Sequence, residues 1–203
     1  MMKKSIWVLT LILLLCAVCA CGKKDEETEN DVSKRKTEAA ASGLHHAEIT
    51  VRDYGVIKVE LDEKAAPITV ANFIRLAESG FYDGSTFHRI IDGFMIQGGA
   101  LKDGKTVSMI KGEFAANGVE NPLKHVVGTI SMARAKALDS ASSQFFIMVG
   151  DAPHLDGNYA AFGHVTEGIE IAMKIAKDAK PTDNNGTIPK DQQPVIEKIV
   201  ITD

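Results

Sequence analysis

Phe87-His88-Arg89-Ile90-Ile91-Asp92-Gly93-Phe94-Met95-Ile96-Gln97-Gly98-Gly99 sets an arginine inside the first of two short apolar runs separated by Asp-Gly. Two such runs, Phe87 to Ile91 and Phe94 to Gln97, read as β-strands meeting at a turn. A guanidinium buried without partners is costly. Arg89 therefore either reaches solvent in a cleft or is held by acceptors. Gln97, with two amide donors and an acceptor, is its natural companion. On these residues alone, a structural arginine bound to carbonyl groups stands as the alternative.

Upstream of this stretch, Ala47 to Leu61 alternates apolar and polar residues around Tyr54-Gly55, the pattern of a β-hairpin. From Pro67 to Glu78 the period changes to that of a helix, with Pro67 in the first turn and Ile68, Ala71, Phe73, Ile74 and Ala77 on one face. Ser79-Gly80 ends it. Downstream, Gly128 to Ala133, Gln144 to Val149 and Ala160 to Val165 read as strands. Gly168 to Ala179 reads as a second helix, with Ile169, Ala172, Met173 and Ala176 on one face, and Val195 to Ile201 as a last strand. Many short strands with two helices predict a mainly β fold, a closed antiparallel barrel capped by helices.

Three further segments have the character of a pocket rim, apolar strand passing into small or polar residues. They are Gly128-Thr-Ile-Ser-Met-Ala-Arg-Ala135, Ser140-Ala-Ser-Ser-Gln-Phe-Phe-Ile147 and Pro153-His-Leu-Asp-Gly-Asn-Tyr-Ala-Ala-Phe-Gly163. Together with the opening stretch, and in this order and spacing, they resemble the cyclophilins. The resemblance covers about Ala47 to Asp203, and the stretch Ile110 to Gly118 and Tyr159 are similar to bacterial members.

The resemblance implies an eight-stranded barrel with a surface groove, and peptidyl-prolyl cis-trans isomerase activity on proline-containing polypeptides without a cofactor or metal. By matched position, Arg89 would be the catalytic arginine and Gln97 would orient it. Phe94, Met95, Phe146 and Leu155 would wall a proline pocket. Ala133, Arg134 and Gln144 would line the groove, the main chain at Arg134 gripping substrate, and His154 and Tyr159 would complete the substrate-binding set. The chemistry is coherent. Rotation about X-Pro faces a barrier of roughly 18–20 kcal/mol set by amide resonance. A fixed donor aimed at the nitrogen favours the twisted state over either planar one.

Several positions depart from the family pattern. His154 stands where many members have a tryptophan that contacts cyclosporin, so weak cyclosporin binding is expected. Tyr159 stands where many have histidine. Arg134 replaces a common asparagine, and its charge could bias substrates. Among the other polar and apolar residues, Phe145 reads as core, His88 as structural, the pair His45-His46 as solvated, and Met109 and Met132 as packing.

The N-terminus is of a different kind. Lys3 and Lys4 precede an uncharged apolar run from Ile6 to Ala20. It is shorter than the roughly 20 residues of a spanning helix and fits a secretory signal peptide. The run ends Val18-Cys19-Ala20-Cys21-Gly22, which resembles a bacterial lipobox with Cys21 as the lipidated residue. The remaining cysteines, Cys16 and Cys19, lie beside it, so the rest of the chain has no thiol chemistry. Residues 21–44 are polar and charged, too poor in apolar groups to offset ordering entropy, and read as a tether. This divides the chain into a signal peptide (1–20), a lipidated tether (21–44) and a domain (45–203). The domain holds 16 Lys/Arg against 21 Asp/Glu, which argues against nucleic-acid binding. The expected setting is extracytoplasmic, lipid-anchored to a bacterial cell membrane, with exported proteins as substrates and a monomer sufficient for the task. A pure binding module using the same groove is the competing reading. A solute receptor is disfavoured because no second lobe remains.

Overall fold

A computed structural model of the protein describes residues 42–100 and 107–203, with Lys34 and Thr37 besides. The signal peptide, Cys21 and most of the tether lie outside the described residues. Strands β1 (Leu44–Val51), β2 (Gly55–Asp62), β3 (Ser85–Thr86), β4 (Arg89–Ile91), β5 (Met95–Gly98), β6 (Thr129–Met132), β7 (Phe145–Met148), β8 (Ala161–Glu167) and β9 (Val195–Ile201) form one curled antiparallel sheet. Helix α1 (Pro67–Glu78) follows β2, and α2 (Ile169–Asp178) follows β8. The strand order is β3-β9-β1-β2-β8-β6-β7-β5-β4.

The expected closed eight-stranded barrel is therefore corrected to a nine-stranded curled sheet. The run expected as one strand from Phe87 to Ile91 is interrupted, because the segment 85–91 serves both ends of the sheet. β3 pairs with β9 and β4 pairs with β5. Between them, Phe87 N–H donates to Pro194 on one side, and His88 N–H donates to Gln97 on the other. A two-residue handover cannot be regular strand.

Alternation along the strands decides what faces the interior. Ile90, Ile96, Ile147 and Ile130 stand opposite one another across β4, β5, β7 and β6, and all are fully buried in the main core. Phe145 joins them, as expected, in an aromatic cluster with Phe73 (edge-on, 5.5 Å between centroids) and Tyr82 (edge-on, 5.5 Å). The tyrosine hydroxyl donates to the Ser143 carbonyl, and burial pushes its pKa up.

The helices bury different residues from those the periodicity suggested. On α1, Ile68 and Ala71 are exposed and the buried stripe runs through Val70, Phe73, Leu76 and Ala77, with Thr69 and Asn72 beside it. Polar contacts set this rotation. Asn72 donates to the Ser142 carbonyl, and Thr69 donates from both its N–H and its hydroxyl to Glu113. On α2, Ile175 rather than Met173 is buried with Ala172 and Ala176. Met132 is core, but Met109 is exposed and not a packing residue. His45 is bonded to Asp203 and Glu63 rather than simply solvated.

Glu113 replaces the missing N-cap of α1. Ala66 makes no side-chain cap, and the first-turn N–H groups of Ile68 and Thr69 instead donate to the Glu113 carboxylate at 2.9 and 2.8 Å. A negative group suits the positive end of the helix dipole, and this one is almost wholly buried. Glu113→Ala is expected to strand three donors, the two of Thr69 buried, each buried one costing about 1–3 kcal/mol if left unmet. With partial rescue by water, the thermal midpoint should fall by on the order of 5–15 °C. Thermal unfolding followed by circular dichroism checks this, and an unchanged midpoint would refute the capping role.

Candidate active site

The row of residues one position out of phase with the isoleucines faces the opposite side of the sheet. Arg89 stands opposite Gln97, Gln97 opposite Phe146, and Phe146 opposite Ser131. One turn of alternation further, Ile91, Met95 and Met148 form a parallel row. These residues make a second, smaller apolar cluster with Phe94, Ala133, Ala152, Leu155 and Tyr159.

Above this cluster lies a cleft of about 330 Å³ lined by Arg89, Phe94, Met95, Gln97, Ala133, Arg134, Phe146, Leu155 and Tyr159. A second hollow of about 270 Å³ adjoins it along Gln97, Ala133 and Arg134 and continues to Ser142 and Gln144. The sequence-derived residues of the folded part, His154 excepted, line these two adjoining hollows. His154 lines neither; it is exposed and stacks on Phe94 with 6.0 Å between ring centres. Cys21 lies outside the described residues.

Arg89 is half-buried and held from two sides. Its Nε donates to the Asn185 carbonyl at 2.8 Å, and Nη1 donates to Gln97 Oε1 at 3.2 Å. Both readings left open by the sequence apply: the arginine is tied to a carbonyl and also borders a cleft. Its Nη2 has no partner among the described residues. Gln97 passes the chain of bonds on, its Nε2 donating to Gln144 Oε1 at 2.9 Å. A fixed guanidinium whose Nη2 donors have no partner among the described residues, beside an apolar hollow, can polarise a group whose position the hollow dictates.

Turns bring the remaining walls into place. Val149 and Gly150 N–H groups both donate to the Phe94 carbonyl, locking the Asp92–Phe94 turn against the strand end. A Cβ on Gly150 would lie 1.9 Å from the Gly93 carbonyl oxygen, so that close approach excludes any side chain. Pro153 opens a short 3-10 turn that seats Leu155 in the apolar cluster.

Several residues beneath the groove were not singled out in the sequence. His125 is buried, its Nδ1 3.0 Å from Asp156 Oδ1 and its Nε2 3.0 Å from Ser131 Oγ. Its ring stacks against Phe146, 6.0 Å away and tilted by 21°. Burial lowers the His125 pKa, and Asp156 only partly opposes this. For Asp156, burial works upward, but bonds from the His125 N–H and ring outweigh it and hold the carboxyl below its ordinary range. The ring is thus neutral at neutral pH, with an ionised partner. Ser131 carried a readable signal, a hydroxyl between the apolar Ile130 and Met132. His125 and Asn185 carried none, since one acts from a loop against a turn 31 positions away and the other through its backbone. His88, read as structural, is largely buried and its pKa lowered by that burial; Nδ1 has no partner among the described residues.

The curled sheet thus offers an arginine, held by Asn185 and Gln97, beside an apolar hollow. The family model described as "Cyclophilin type peptidyl-prolyl cis-trans isomerase/CLD" matches residues 46–203. The chain belongs to this family, and its class of activity is peptidyl-prolyl cis-trans isomerisation. Peptidyl-prolyl cis-trans isomerase A of Dickeya dadantii is 43% identical over 147 residues, covering 68% of this chain and 74% of that one. Peptidyl-prolyl cis-trans isomerase B of Escherichia coli is 35% identical over 162 residues, covering 74% of this chain and 96% of that one. A cyclophilin-type isomerase from Cryptosporidium parvum superimposes with a TM-score of 0.67 at 30% identity, covering 79% of this chain and 98% of that structure.

Proposed function

We propose that this isomerase acts on exported polypeptides as they fold outside the cytoplasmic membrane, and that Arg89 supplies the catalytic hydrogen bond. The observation that supports the mechanism is an arginine whose Nε and Nη1 are fixed by Asn185 and Gln97 and whose Nη2 has no partner among the described residues. A proline ring held by Phe94, Met95, Phe146 and Leu155 sets its amide nitrogen within reach of that donor. As the X-Pro bond twists, resonance is lost and the nitrogen becomes a better acceptor. The donor bond then strengthens in the twisted state alone, which is the condition for acceleration. No group changes its covalent bonding. Gln97 keeps the guanidinium from turning toward solvent. The Arg134 main chain, Ala133 and Gln144 hold the substrate backbone beside the ring.

The anchoring reading rests on the sequence around Cys21 and on the polar tether that follows it. Lipid attachment there would tie a monomeric domain to the outer face of the cell membrane, within reach of emerging chains. Weak cyclosporin binding follows from His154, whose imidazole offers less apolar area than an indole and costs more to desolvate.

Arg89→Ala is expected to lower kcat/KM on a proline peptide by one or more orders of magnitude. Loss of one preorganised donor typically costs about 2.7–4 kcal/mol. The thermal midpoint should stay within a few degrees. Undiminished turnover in a protease-free isomerisation assay would remove Arg89 from the mechanism. Cys21→Ser should move the protein from the membrane fraction to the soluble one and abolish acyl labelling; persistent labelling would place the anchor elsewhere. His154→Trp should tighten cyclosporin inhibition by about tenfold, on the order of 1–2 kcal/mol of added apolar contact. Tight inhibition of the unmodified chain, with no gain from tryptophan, would show that His154 does not govern this binding.

A further inference from the structure

The charge of Arg134 suggested a bias among substrates, but its surroundings describe a different job. The guanidinium is already spent on the protein. Nε and Nη2 both donate to the Asn158 carbonyl, at 2.9 and 2.8 Å, and Nη1 donates to the carbonyls of Ala135 and Lys136 at 3.0 and 3.4 Å. It also lies over two aromatic rings, 5.1 Å from the centre of Phe114 and 4.7 Å from that of Tyr159. Phe114 is fully buried and gives the stack a fixed side.

These contacts join two separate loops. Arg134 leaves the end of β6, whereas Asn158 and Tyr159 close the turn that carries Leu155. Within that turn, the Asn158 N–H donates to the Leu155 carbonyl at 3.0 Å. Tyr159 meets Phe146 edge-on, 5.9 Å between centres. The guanidinium thus braces two lining residues of the apolar hollow through one turn and one ring.

Resting on the reading of this groove as the proline site, we propose that Arg134 and Tyr159 form one coupled unit that positions the pocket wall. Arg134 is a positioning residue and does not select substrates by charge. A planar fork that can stack and bond several carbonyls at once is required, and an ammonium cannot replace it.

A double-mutant cycle on the full chain tests this, with Arg134→Asn, Tyr159→His and both together. It is read as kcat and KM on proline peptides with acidic, neutral or basic flanks. Arg134→Asn is expected to raise KM about three- to tenfold, the scale of a partly desolvated cation–π contact with its bonds. The ratio should be the same for all three peptides. The double variant should be no worse than the poorer single, the mark of coupled residues. Arg134→Lys, which keeps the charge, should behave like Arg134→Asn. A fold merely weakened would lose active protein and so lower apparent kcat at unchanged KM; that outcome overturns the proposal. So do additive single effects, full rescue by lysine, or a KM ratio that follows peptide charge. If Arg89→Ala in the same assay is impaired while the Arg134 and Tyr159 effects add, the coupling alone falls. If none of the variants is impaired, the reading of the groove falls and takes the coupling with it.

Discussion

The register of β4, β5, β7 and β6 is the constraint on which the rest of this structure depends. Opposed residues in an antiparallel sheet share a face, so one pairing sends Ile90, Ile96, Ile147 and Ile130 into the main core and Arg89, Gln97, Phe146 and Ser131 to the opposite face. Slipping one strand by a single residue would bury a guanidinium and expose an isoleucine, a double penalty that no local adjustment repairs. Core stability and site geometry are thus enforced by the same hydrogen-bond ladder. Arg89 is held in place by the same pairing that buries the isoleucines, so its position is a condition of folding.

Polar groups then refine what the register places. Asn185 and Gln97 each take one nitrogen of Arg89. Beneath Phe146, His125 links the Asp156 turn to Ser131 in the strand, so the ring that floors the hollow rests on a satisfied polar pair rather than on loose hydrocarbon. Around the rim, Arg134 spans two loops by stacking and by bonding carbonyls. These bonds and stacks fix the walls of the hollow from three sides.

Much was legible before any coordinates. The hairpin follows from alternation and the helices from their change of period, while the central strands β6 and β7, buried on both faces, show only as short apolar runs between turn residues. The groove residues were legible through a resemblance carried by specific strings, and the structure gathers them around one cleft. Phe145 and Phe146 fell on the faces that alternation assigned. What sequence could not convey was the helix rotation set by Glu113, a residue 44 positions from Thr69, or the support of Arg89 by a carbonyl 96 positions away.

The sequence by itself determined the strand faces, the isolation of the cysteines at one end and the presence of an arginine that an apolar strand could not simply swallow. These are local properties, readable wherever period and composition suffice. Tertiary structure alone decided that the segment 85–91 is divided between the two ends of the sheet, that His125 lies under Phe146 and that the Arg134 charge is turned onto Tyr159 and the loop carbonyls. Each of those depends on which distant segment the folded chain brings alongside. Backbone carbonyls and ring faces accept partners from any residue type, so they leave no trace in the order of the amino acids.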